Sequence, residues 1–209
     1  MADRLEELER QRLAKVDALR EAGVDPYPVR FDRTHTAAEI RAKHSSLPPE
    51  SVTGEIASVA GRLMLKRSQG KLTFAELQDG TGRIQLFIEK ERLGDEAYAR
   101  VKELDLGDWI GARGEIVTTK RGELSVRPNE VTLLAKALRP LPEKWHGLKD
   151  VELRYRQRYL DLLVNPDANR IVDIRARAVT AIRHFLIDRG FIEVETPMLQ
   201  PTPGGALAK

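Results

Sequence analysis

Between Val52 and Arg139 the sequence repeats one pattern: a short run of β-forming residues, a turn signal, and another run. The runs are GEIASVAGRLMLKR, KLTFAELQ, RIQLFIEK, WIGARGEIVTTK and ELSVRPNEVTLLAK, and three of their boundaries carry SQG, DGTG and KRGE. Gly and Asp at those joints supply the tight reversals that antiparallel neighbours require. Between the third and fourth runs, DEAYARVKELD has helical rather than alternating spacing. Other small barrels share parts of this order of five strands with a helix after the third.

That order, strand, strand, strand, helix, strand, strand, is the order of an OB fold. This small Greek-key barrel binds oligonucleotides on the face of its second and third strands. Alternation in RIQLFIEK puts Ile84, Leu86 and Ile88 on one face and Arg83, Gln85 and Phe87 on the other. The apolar set is expected inside, which leaves Gln85 on the outer side with an amide that donates and accepts, able to read a base edge. In KLTFAELQ the alternation is mixed, so parity does not settle the side of Phe74. A Phe in such a strand is more often core; facing out, it is a stacking platform. Lys66, Arg67, Lys71, Lys120 and Arg121 fall near this surface, either as phosphate contacts or as ordinary loop charges.

The flanks read as helices. From Asp3 to Ala22, Leu5, Leu8, Leu13, Val16 and Leu19 recur mostly at helical spacing, with Asp3 as an expected N-cap and Gly23 as the stop. The other face carries Arg10, Arg12, Lys15 and Arg20 beside as many acids and reads as solvated, with an auxiliary RNA contact as the minor alternative. In THTAAEIRAKH, Thr36 and Glu39 have the spacing of a capping box. Residues 1–50 form a helical extension, 51–138 the barrel, and the Pro/Gly-rich 139–152 a linker. Beyond it VELRYRQRYLDLL is helical, and Asn165 before Pro166 caps a longer helix. Ile171, Ile174, Ala178, Ile182, Phe185 and Leu186 share one face of that helix, which ends at Gly190, and FIEVET reads as a strand.

The chain has no Cys, which removes disulfides, thiolate chemistry and the usual structural zinc site. No P-loop, GxSxG, HExxH or CxxC occurs, and His35, His44, His146 and His184 are scattered. No catalytic or metal-binding residue is therefore assigned. A net charge of +3 permits a nucleic-acid partner without demanding one. The start MADRLEELERQRLAK lacks the apolar core of a signal peptide, and no run of about 18 apolar residues occurs, so a cytoplasmic protein with no membrane partner is expected.

HGLKDVELRYRQRYLDLLVN and GFIEVETPMLQPTPGGA, with the barrel stretch LTFAELQDGTGRIQLFIE and the linker KALRPLPEKWHGLKD, closely resemble the bacterial lysyl-tRNA synthetase family. The similarity covers nearly the whole chain. It implies an α+β protein: an N-terminal helix, a five-stranded OB-fold anticodon-binding barrel, and from residue 153 to 209 the start of a class II antiparallel α/β catalytic domain. Gly190, Phe191, Val194 and Pro197 match the family's first class II motif, which implies a homodimer interface. Phe74 matches the residue that stacks on the central uridine of the lysine anticodon, Gln85 the residue that hydrogen-bonds it, and Arg67 and Glu123 complete the set. Gly204 and Gly205 resemble a loop beside the amino-acid pocket. The implied reaction joins lysine to tRNA(Lys) through a lysyl-adenylate, using ATP and Mg2+ held by the second and third motifs, which this sequence does not contain. The chain by itself is expected to be inactive. Two other readings are a non-enzymatic OB module that binds tRNA, for which the helix and strand past Asp150 have no use, and the synthetase part of an enzyme that lysylates phospholipid, which needs a membrane segment.

Overall fold

The computed structural model describes residues 2–142 and 148–199 of the chain. They fall in two compact units, 1–141 and 142–209. Unit 1 opens with α1 (Ala2–Glu21) and α2 (Ala37–His44). The barrel comes next as β1 (Val52–Gln69), β2 (Leu72–Gln78) and β3 (Arg83–Glu89), the helices α3 (Lys90–Leu93) and α4 (Asp95–Glu103), then β4 (Trp109–Thr118) and β5 (Leu124–Ala135). The strands close in the order β1-β2-β3-β5-β4, antiparallel except where β3 meets β5 in parallel. The expected five-stranded OB topology is therefore present.

The barrel is filled from alternate positions of every strand. Leu63, Leu77, Ile84, Leu86, Ile88, Ile110, Ile116 and Val126 are all buried and form one core. Each such side chain contributes about 1.5–3 kcal/mol relative to exposure. The expected inward set of β3, Ile84, Leu86 and Ile88, is the observed one. Tyr98 of α4 joins the same core, and its hydroxyl lies 3.0 Å from Thr73 Oγ1 and donates to Gly70 O at 3.3 Å. Closure bends the sheet at a bulge between Arg113 and Gly114. A Cβ at Gly114 would lie 2.1 Å from Arg127 O, so only glycine fits that bend.

Thr36 and Glu39 form the expected capping box of α2: Glu39 N–H donates to Thr36 Oγ1 at 3.2 Å and Thr36 N–H to Glu39 Oε2 at 2.7 Å. The DGTG turn is organised by Asp79, whose carboxylate accepts from the amides of Thr81 and Gly82 and from Ala37 N–H of α2. One residue thus fixes a hairpin and seats a helix. Burial raises the Asp79 pKa, but these hydrogen bonds outweigh it and hold the carboxyl below the usual range.

α1 differs from the sequence expectation. It starts at Ala2, so Asp3 lies inside it and not at the cap, and Leu5 and Leu13 are exposed. Arg12, expected on the solvated face, is buried, and Lys15 reaches Asp105 at 3.0 Å. The docking face is therefore partly charged, because the surface it meets presents carbonyls and a carboxylate.

Unit 2 contains α5 (Val151–Arg156), α6 (Arg158–Val164) and α7 (Pro166–Ile187). The helix expected over VELRYRQRYLDLL breaks at Gln157, whose φ of −113° and ψ of 53° leave the helical region. Asp161 is fully buried and is held by Arg154, Arg158 and Asn165. Asn165 stands at the N-cap of α7 as expected, but its side chain donates to Asp161 and to Leu148 O and makes no cap bond. The expected apolar face of α7 is exposed, Ile174, Ile182 and Phe185 among others. FIEVET, expected as a strand, has no regular structure. A strand needs a partner to complete its ladder, and among the described residues the barrel is the only sheet.

Candidate nucleic-acid interface

Cross-strand register decides what the outer face of the barrel presents. The pairs Arg67↔Phe74 and Phe74↔Phe87 put a guanidinium and two rings in one row across β1, β2 and β3. The next row holds Leu65, Glu76 and Gln85, with Ser125 of β5 beside Gln85. Burial in β2 alternates strictly, with Thr73, Ala75 and Leu77 inside and Phe74, Glu76 and Gln78 half-buried on the outer side. This resolves the side of Phe74: it faces out. The ring lies against Phe87 with centroids 5.3 Å apart and planes inclined by 16°. An offset stack of this kind holds both rings in fixed orientation, worth about 0.5–1.5 kcal/mol beyond burial.

Alternation in β3 places Phe87 outward but does not by itself give it a partner. The signal for the partner lies in the turn. With DGTG as a four-residue joint, Gln78 pairs with Arg83, and counting back along both strands brings Phe74 opposite Phe87.

Gln85 is half-buried on this face, and its Nε2 donates to Ser125 Oγ at 2.8 Å. Ser125 Oγ in turn donates to Glu123 O at 3.1 Å. The amide plane is therefore anchored at one N–H, which leaves the carbonyl oxygen and the second N–H for another partner. Glu123 reaches the site through its backbone. Its carboxylate is 3.6 Å from Arg41 of α2, an exposed pair. Arg83 donates to Gln78 Oε1 and Glu76 Oε1, both at 3.0 Å, which offsets the one carboxylate in the middle of the face.

The five basic residues do not act as one cluster. Lys66 turns away from the face and donates to the carbonyls of Val101 and Lys102 at 3.4 and 2.6 Å, and to Leu104 O, where α4 ends. Burial lowers its pKa, and the helix C-terminus is a favourable place for its charge. Arg67, Lys71, Lys120 and Arg121 are exposed, with Lys71 in the β1–β2 turn 3.4 Å from Glu91 and Lys120 in the β4–β5 turn 3.9 Å from Glu50. Exposed pairs of this kind are worth about 0–1 kcal/mol and yield to a phosphate.

Phe191 and Val194 are largely exposed; α7 stops at Ile187, short of the expected Gly190, which has a φ of 84° in the turn that follows. Gly204 and Gly205 lie outside the described residues. Among the described residues no group of three or more His, Asp or Glu could hold a metal ion, and no helix is long and apolar enough to cross a membrane.

Residues 57–134 match the family of OB-fold nucleic acid binding domains, and residues 150–209 match class II tRNA synthetases (D, K and N). The chain is 51% identical over 198 residues to a lysine–tRNA ligase of Moorella thermoacetica, covering 95% of this chain and 40% of that protein. It is 48% identical over 208 residues to a lysine–tRNA ligase of Clostridium perfringens, covering 99% of this chain and 40% of that protein. With a lysine–tRNA ligase of Bacillus subtilis the identity is 48% over 200 residues, covering 95% of this chain and 40% of that protein.

Proposed function

We propose, from a chain whose residues 150–209 match class II tRNA synthetases (D, K and N) and which is similar to lysine–tRNA ligases, that its barrel reads the anticodon of a lysine tRNA. The chain spans about 40% of the length of those relatives. Activation of lysine with ATP and Mg2+, transfer of lysine to tRNA(Lys), and a cytoplasmic location are accordingly proposed for the whole enzyme. This chain's part in that reaction is binding, and alone it is inactive.

The observation that carries the reading is the outward Phe74, held against Phe87 in the row beside the anchored Gln85. A base laid on the Phe74 ring gains about 1–3 kcal/mol whatever its identity. Identity comes from the edge. Uridine presents an N–H between two carbonyl oxygens, and the free carbonyl oxygen and N–H of Gln85 match one such pair. Arg67, in the same row as the rings, and Arg121 supply charge for the flanking phosphates. Glu123 closes the site at the β4–β5 turn. Gly190, Phe191, Val194 and Pro197, with the apolar face of α7, are assigned to a homodimer interface, and Gly204 and Gly205 to the amino-acid pocket.

The purified chain tests both halves of the proposal. It should bind a lysine anticodon hairpin and show no lysine-dependent ATP–pyrophosphate exchange. Exchange by this chain would overturn the assignment of a binding role alone, and absence of hairpin binding would overturn the anticodon reading.

A further inference from the structure

The helix α1 holds the end of the barrel more tightly than a packed appendage would. Arg12 is 9% exposed, and its guanidinium meets three backbone carbonyls: Nη1 donates to Ala137 O at 2.9 Å and Arg139 O at 3.0 Å, and Nη2 to Leu106 O at 3.1 Å. The same short stretch is held from other sides. Lys136 N–H donates to Pro26 O at 3.3 Å, Tyr27 Oη to Lys136 O at 3.3 Å, and Ala137 N–H to Asp108 Oδ1 at 2.9 Å. The Lys136 ammonium is almost fully buried and bridges Asp105 and Asp108 at 2.5 and 2.7 Å. Lys15, one turn from Arg12, reaches Asp105 as well.

These contacts fall on a particular place in the chain. β5 ends at Ala135, so the carbonyls of Ala137 and Arg139 lie past the ladder and would otherwise need other partners. The first compact unit ends two residues later, at Leu141. A buried guanidinium contributes little net stability compared with an apolar side chain of similar size, because its desolvation offsets its hydrogen bonds. A rigid fork aimed at carbonyls does, however, supply direction.

We infer that α1 is a clamp on the segment 136–141, with Arg12 as the positioning residue that fixes the direction in which the chain leaves the barrel. The clamp sets the path of residues 136–141 off the barrel, and it acts whichever RNA is bound. Released from Arg12, the four residues 138–141 add about 11 Å of r.m.s. freedom, taking ~5–6 Å × √n for a flexible chain.

The chain has no cysteine, so two introduced ones take spin labels without background. Ala99→Cys on α4 and Arg139→Cys in the clamped segment are exposed positions. Pulsed dipolar spectroscopy then reads the spread of the distance between them, in the otherwise wild-type chain and with Arg12→Ala or Arg12→Met. The Met variant keeps an apolar stem in place if the Ala variant unfolds. The clamp predicts that the distribution broadens about twofold in the variants, while helix content by circular dichroism and affinity for an RNA hairpin stay within twofold of wild type. Equal widths in all three proteins overturn it, whether all are narrow or all are broad. A variant that loses RNA affinity with its width unchanged overturns it too, and makes Arg12 part of the RNA site instead.

Discussion

Phe74→Ala separates a ring that binds from a ring that packs. Complete burial would make the truncation cost about 3–5 kcal/mol. Phe74 is half-buried, and its contact on the outer face is the stack with Phe87, so the expected loss of stability is roughly half of that, ~1.5–2.5 kcal/mol. The effect on binding comes from different chemistry. Loss of a base–aromatic stack costs about 1–3 kcal/mol, which is a rise in Kd of about 5- to 150-fold. Urea unfolding monitored by circular dichroism reads the first quantity. Anisotropy titration of a labelled lysine anticodon hairpin, in urea-free buffer where the variant is folded, reads the second. A variant destabilised by the full ~3–5 kcal/mol of a core truncation, with hairpin Kd unchanged, would refute the outward, base-stacking role.

Other parts of the molecule give three more expected outcomes. Gln85→Ala removes one or two hydrogen bonds to a base edge, so preference for a uridine-centred over a cytidine-centred hairpin should fall by about 2- to 12-fold, with the melting temperature nearly unchanged because Ser125 Oγ still donates to Glu123 O; an unaltered preference would remove that role. Asp79 and Asp105 both have pKa values lowered in the fold: burial raises each, and hydrogen bonds outweigh it, from Ala37, Thr81 and Gly82 for Asp79 and from Lys136 and Lys15 for Asp105. Their contribution is therefore complete above the unfolded pKa of about 3.9 and is lost as pH falls through the lower folded values, so the melting temperature should drop below about pH 4, and Asp105→Asn should flatten that drop; a profile level from pH 5 to pH 2 contradicts it. Ile182→Arg on the exposed face of α7 should abolish self-association of the chain in sedimentation, and a wild-type chain that is monomeric at all concentrations would count against the dimer assignment.

The barrel is legible in the sequence because its signals are local. Turn residues set the joints, β3 alternates without exception, and the capping box of α2 spans only Thr36 to Glu39. The side of Phe74 is not legible, because Thr73 interrupts the apolar set of β2 from inside the core. Its hydroxyl is satisfied there by Ser68 Oγ at 2.9 Å and Tyr98 Oη at 3.0 Å, partners that the strand itself does not reveal. Arg12, Lys15 and Lys66 escape a sequence reading for a related reason. Each is a charged residue at a solvent-type position with partners far along the chain: backbone carbonyls for Arg12, up to 127 residues away, and for Lys66, and chiefly the Asp105 carboxylate, 90 residues away, for Lys15; a carbonyl has no sequence signature, and a distant carboxylate is one of many. FIEVET carries the composition of a strand, but a ladder is a property of two segments, and its own sequence specifies only one of them.

The outer β2–β3 face is proposed to read the central base of a lysine anticodon. The most direct measurement is a titration of the wild-type chain with four anticodon hairpins that differ only at that base, at one fixed salt concentration. Binding tightest for uridine, with the preference lost in Gln85→Ala and overall affinity lost in Phe74→Ala, is the predicted result. Equal affinity for all four hairpins, unaffected by either substitution, would contradict it.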